Sequence, residues 1–151
     1  MKTLLALLLL ATSLPAKEIA KRITNRQFED GTWSSKETDP EKRRAIERFY
    51  VLGSKTPYQT ILYQLDEDMN PMSGIYYNAR NQVFQKCTYK LDGGNPPRVI
   101  QEVVYNAQGV LTGTNNNIYG TRDGRSTLLS VDRYDASGNL IPRAKVTGRK
   151  R

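Results

Sequence analysis

The fold is decided by a short stretch near the end of the chain, Tyr134-Asp135-Ala136-Ser137-Gly138-Asn139-Leu140. Tyr and Leu are good strand residues, and the residues between them are those that reverse a chain. The Asp side chain can accept a hydrogen bond from the backbone two residues on, and glycine adopts the positive φ of a tight reversal at little cost. The stretch therefore predicts two antiparallel strands joined by a turn.

Two earlier stretches repeat this pattern, Tyr105-Asn106-Ala107-Gln108-Gly109-Val110-Leu111 and Tyr77-Asn78-Ala79-Arg80-Asn81-Gln82-Val83. Asn81 stands at the glycine position, and asparagine also tolerates a left-handed backbone. Degenerate copies follow Tyr63, Tyr89 and Tyr119, and successive tyrosines of the series are 12 to 16 residues apart. One such step is one strand plus one turn. The sequence thus predicts an all-β antiparallel meander of repeated hairpins, either an open curved sheet or a partly closed barrel.

Residues 134–140 resemble the core of the YD repeat of RHS-type secreted shell proteins, in which Tyr-Asp is followed by Gly and Leu. Related short β-hairpin repeats occur in other bacterial surface and periplasmic proteins. The agreement is weaker at 105–111 and 77–83, and the Arg that usually precedes the Leu is Asn139 or Val110 here. The resemblance implies an architecture and an exported bacterial protein, because a shared repeat does not by itself carry a function.

The first sixteen residues predict a cleaved secretory signal peptide. Lys2 supplies the basic start, Leu4 to Ala11 form the apolar run, and Ser13-Leu14-Pro15-Ala16 offers a cleavage site before Lys17. The apolar run is too short to span a bilayer. We therefore expect the mature protein to be periplasmic or secreted.

Residues 17–45 are polar and mixed in charge, and they are expected to precede a hairpin-repeat domain at 46–142. Asp39 and Pro40 resemble the N-cap and first residue of a helix, which predicts a short N-terminal helix near 40–45. The stretch 17–27 is expected to be helical or irregular. Residues 46–52 fit both helical and strand spacing, and a strand that follows the short helix is the favoured interpretation.

The end of the chain is strongly basic. The chain has a formal charge of +8, and the last nine residues contain five cations and no acid, namely Arg143, Lys145, Arg149, Lys150 and Arg151. We expect residues 143–151 to be a disordered tail that either contacts an anionic envelope polymer or lipid, or only keeps the protein soluble. Another protein is an alternative partner, whereas no nucleic acid is expected for an exported chain.

The composition argues against the common catalytic chemistries. The chain has no His, which excludes Ser-His and Cys-His dyads and the commonest metal ligand. Cys87 is the only cysteine, and its alternation with apolar residues favours burial over reactivity. Residues 66–70 resemble a calcium loop, but Pro71 and Tyr77 stand where that loop needs Gly and Glu, so a solvated turn is favoured. We predict no catalytic residue, metal site or cofactor, and therefore no enzyme.

The aromatic side chains are the remaining candidates for ligand contact, and we predict ligand contact at Trp33, Tyr76 and Tyr119. In the competing interpretation, Trp33 covers an end of the sheet and the tyrosine rings form a thin core. The sequence predicts an exported, non-catalytic β-repeat protein that binds or scaffolds at the bacterial cell envelope. A carbohydrate-binding module that uses Tyr and Trp side chains is the alternative.

Overall fold

A computed structural model describes residues 21–142, which form one antiparallel sheet of ten strands. The strands are β1 (Arg22–Gln27), β2 (Trp33–Asp39), β3 (Arg44–Tyr50), β4 (Gln59–Leu65), β5 (Pro71–Asn78), β6 (Val83–Leu91), β7 (Val99–Asn106), β8 (Leu111–Arg122), β9 (Arg125–Asp135) and β10 (Leu140–Ile141). The predicted leader at 1–16 and the predicted basic tail at 143–151 lie outside the described residues.

The order of the strands in the sheet is their order in the chain. Each strand contacts only the strands that precede and follow it, so β1 and β10 form the two edges and the sheet does not close on itself. This confirms the predicted all-β meander of hairpins and selects its open form. The described chain contains no helix that is long and apolar enough to cross a membrane.

The helix predicted near 40–45 is wrong. Residues 40–43 form a turn, and β3 begins at Arg44. The Asp39 carboxylate accepts a hydrogen bond from the Lys42 amide, as a helix N-cap would, but Arg43 adopts a positive φ of 48° and ends the turn. Pairing of β3 with β2 and β4 then replaces the helical hydrogen bonds. The sheet also begins before residue 46, since residues 22–27 form β1.

Four turns share one hydrogen-bonding pattern, and they begin at Asp66, Asn78, Asn106 and Asp135. In each turn the side-chain oxygen of this first residue accepts hydrogen bonds from the backbone amides two and four residues on, at 2.8 to 3.0 Å. The fourth residue has positive φ in every copy, and it is Met69, Asn81, Gly109 or Gly138. The three turns predicted at 77–83, 105–111 and 134–140 are therefore confirmed as strand reversals of equal geometry.

The register of the sheet repeats as well. Pairing shifts by one residue at 64/65, 76/77, 90/91, 104/105 and 118/119, at intervals of 12 or 14 residues. A bulge of this kind adds twist and re-aims side chains, and one occurs in each of the five strand pairs from β4–β5 to β8–β9. The strand-plus-turn step inferred from the tyrosine spacing is thus a structural period.

Within residues 21–142, the five buried residues that are not glycine lie on one face of the sheet, which we call the core face, and they are Ser34, Ala45, Ile61, Leu65 and Cys87. The tyrosines divide between the two faces. Tyr63, Tyr76, Tyr89 and Tyr119 lie on the core face, whereas Tyr77, Tyr105 and Tyr134 lie on the other face and pair with the Val or Leu that follows each turn. The core is therefore one thin layer, and no second layer of described residues covers it.

Candidate binding surfaces

Three tyrosines on the core face form the tyrosine cluster, Tyr63, Tyr76 and Tyr89. The ring centroids of Tyr63 and Tyr89 are 6.3 Å apart, and the hydroxyls of Tyr76 and Tyr89 are hydrogen-bonded at 2.9 Å. The Tyr63 hydroxyl donates to Glu47 Oε2 at 3.2 Å. The rings are half-buried and cover the middle of the sheet, which is the thin-core role that sequence patterning favoured for tyrosine.

The chemistry of the tyrosine cluster is that of neutral phenols. Burial raises the pKa of Tyr63, Tyr76 and Tyr89 well above its ordinary value, and the carboxylates of Glu47 and Glu102 act in the same direction on Tyr63. Burial also raises the pKa of the Cys87 thiol, which is 2% exposed. These four groups therefore stay protonated at neutral pH, and the buried position predicted for Cys87 is confirmed.

A second surface surrounds the loop that joins β6 to β7. The Asp92 carboxylate accepts hydrogen bonds from the backbone amides of Gly94 and Arg98 and from Arg98 Nε, at 2.6 to 3.0 Å. The backbone bonds from Arg98 and Gly94, together with the Arg98 side chain, lower the pKa of Asp92 to about 2. Asp92 therefore fixes both the loop and the Arg98 guanidinium.

The Arg98 side chain reaches β8 and β9. Its Nη1 donates to Ser126 Oγ at 2.6 Å, and its guanidinium carbon lies 4.9 Å from the centroid of the Tyr119 ring. These three side chains and the residues Gly94, Asn95 and Pro96 line an open cleft of about 480 Å³, which we call the loop cleft. A fixed cation, an aromatic ring and uncharged polar groups thus meet in one concave site.

The structure does not bring the three predicted ligand-contact residues together. Trp33 lies on the face opposite the core face, where its ring stacks on Tyr50 at 4.1 Å between centroids. Tyr76 belongs to the tyrosine cluster, and Tyr119 belongs to the loop cleft. The predicted anionic-surface residues Arg143, Lys145, Arg149, Lys150 and Arg151 lie outside the described residues.

Sequence reasoning missed Arg98 as a site residue. Arg98 is 21 residues from Tyr119 and 28 from Ser126 in the chain, and the register shifts of two hairpins decide that they meet. The one local signal was the run of turn residues from Asp92 to Pro97, which marked a loop but gave no indication of what the loop contacts.

No protein-family model, curated protein sequence or solved structure matches this chain significantly.

Proposed function

We propose that this chain is an exported, non-catalytic β-repeat protein that binds or scaffolds at the bacterial cell envelope. The observation that carries the proposal is the single-layer sheet, in which strands contact only their neighbours. Proteins built in this one-dimensional way present long continuous surfaces, which they commonly use for binding. The signal-like residues 1–16 support export, and the basic residues 143–151 support contact with an anionic surface.

Sedimentation with lipid vesicles tests the envelope contact. We expect the mature chain to bind phosphatidylglycerol vesicles at low salt, to dissociate from them as the salt concentration rises, and not to bind zwitterionic phosphatidylcholine vesicles. A variant that lacks residues 143–151 should lose most of this binding. Equal binding by the truncated and the full mature chain would remove the tail from the proposal, and no binding by either would remove lipid as the partner.

A carbohydrate-binding module is the second candidate, and the loop cleft is the observation that favours it. Tyr119 offers an aromatic ring beside the polar groups of Arg98, Asn95 and Ser126, which is a composition that small polar ligands use. Trp33 and Tyr76 support this candidate less, because neither lines the loop cleft: Trp33 lies on the opposite face of the sheet and Tyr76 belongs to the tyrosine cluster. A glycan array with the mature chain and a Tyr119→Ala variant tests it, since loss of sugar binding in the variant is the expected result.

A further inference from the structure

The loop cleft contains a guanidinium that is held in place before any ligand arrives. Asp92 accepts from Nε of Arg98 at 2.6 Å and also forms an ion pair with Nη2, while Nη1 donates to Ser126 Oγ at 2.6 Å. The Tyr119 ring, whose hydroxyl donates to the Val99 carbonyl oxygen at 3.1 Å, supports the guanidinium from one side. An arginine ordered in this way loses little conformational entropy when it binds a ligand.

Arg98 lines the cleft and keeps donors that its contacts to Asp92 and Ser126 do not use. A guanidinium has five N–H groups, and the contacts to Asp92 and Ser126 occupy three of them. One N–H therefore remains on each terminal nitrogen, and 42% of the side chain is exposed. Two N–H groups of one guanidinium match the spacing of two oxygens on a carboxylate or a phosphate.

The other groups of the cleft suit a sugar ring. The Asn95 side chain is exposed and makes no hydrogen bond to the described residues, so its amide can bind a ligand hydroxyl. The fixed Tyr119 ring gives an apolar surface beside it. A volume of about 480 Å³ lies within the range of roughly 300–1,000 Å³ that small-ligand sites have.

We propose that the loop cleft binds an acidic saccharide. Arg98 binds the anionic group, Asn95 forms hydrogen bonds with the sugar hydroxyls, and the Tyr119 ring packs against the sugar. The inference rests on the proposed envelope-binding function, and it names the class of envelope polymer that this cleft recognises. The anionic group is a carboxylate or a phosphate, because both present paired oxygens to a guanidinium.

Calorimetric titration of the full mature chain tests this, with two pairs of probes. The first pair is trigalacturonate against a neutral galactose trimer, and the second is mannose 6-phosphate against mannose. Asn95→Asp is the site variant, since it adds a carboxylate to the cleft without changing the shape of the side chain. Arg122→Gln is the matched control, because it changes the net charge by the same amount, and Arg122 lies at the tip of the β8–β9 hairpin on the face opposite Tyr119 and Ser126.

We expect one acidic probe to bind clearly tighter than its neutral partner, and Asn95→Asp to weaken that binding about tenfold or more while Arg122→Gln changes it less than about twofold. The acidic probe that binds identifies carboxylate or phosphate as the recognised group. Equal binding of acidic and neutral probes, equal losses in both variants, or no binding of any probe would overturn the inference. The vesicle assay separates this inference from the proposed function. If the saccharide titrations fail but Asn95→Asp binds phosphatidylglycerol vesicles as the parent chain does, only the role of the cleft is refuted.

Discussion

At the scale of single residues, Gly74 determines how closely the tyrosine cluster packs. A Cβ at this position would lie 2.5 Å from the Tyr89 hydroxyl oxygen and 3.3 Å from both Ile61 Cγ2 and Tyr76 Cε2. Glycine usually weakens the interior of a strand, and here its missing side chain leaves the space that the Tyr89 hydroxyl occupies. The Tyr76–Tyr89 hydrogen bond therefore depends on a glycine one strand away from Tyr89.

Gly74→Ala should destabilise the protein by about 1–3 kcal/mol, the usual cost of adding a group to a packed site. Urea unfolding measures the change. Tyr89→Phe removes the oxygen that the new methyl group meets, so the double variant should lose clearly less than the sum of the two single variants. Strict additivity of the two losses would contradict this account of Gly74.

Asp92 makes the loop cleft sensitive to acid. Its pKa in the folded chain is about 2 because backbone amides and Arg98 favour the carboxylate, whereas an unfolded Asp titrates near 3.9. A lowered pKa contributes stability that is complete above the unfolded value and is lost as the pH falls through the folded value. The hydrogen bonds around the loop should therefore weaken only as the pH drops from about 4 to about 2.

NMR titration of the Asp92 side chain checks this directly. We expect a midpoint near pH 2 and, over the same range, shifts of the Gly94 and Arg98 amide signals that donate to it. Asp92→Asn should abolish the coupled shifts. A midpoint near the ordinary value for aspartate would show that these hydrogen bonds do not form in solution.

At the scale of elements, the hairpins depend on one polar side chain at the start of each turn. Asn106 Oδ1 accepts from the Gln108 and Val110 amides at 3.0 and 2.9 Å, so Asn106→Ala should cost about 1–2 kcal/mol at roughly 1 kcal/mol for each hydrogen bond. Asn106→Asp keeps the accepting oxygen, as Asp135 does in the last hairpin, and should be close to neutral. Thermal unfolding of both variants checks the pair. Equal losses would mean that the side-chain oxygen does not support the turn.

Elements that local residues determine could be predicted from the sequence, whereas elements that depend on strand pairing could not. The turns at 77–83, 105–111 and 134–140 are local, because an Asx side chain and a residue with positive φ complete them within a few positions. The turn at Asp39 and Pro40 was missed because its first hydrogen bond, from the Lys42 amide to Asp39, is the bond that also begins a helix. Only the pairing of Arg44–Tyr50 with two neighbouring strands separates the two outcomes.

At the scale of the whole molecule, the sequence predicted a meander but not whether it closes. Closure depends on whether the first and last strands meet, and neither strand carries a local signal for that. The loop cleft could not be predicted for the same reason. Strand register brings Arg98 into contact with Tyr119 and Ser126, and no local stretch of sequence encodes that register. The individual hairpins could therefore be predicted from the sequence, whereas the contacts between distant hairpins could not.

The distance between two spin labels tests the open meander most directly. Labels at Asn25→Cys on β1 and Thr127→Cys on β9, in a Cys87→Ala background, lie eight strand spacings apart. At about 4.8 Å a spacing and allowing for twist, pulsed electron paramagnetic resonance should give a distance of roughly 30–40 Å. A distance below about 15 Å would mean that the two ends of the sheet meet, and it would contradict the open ten-stranded sheet.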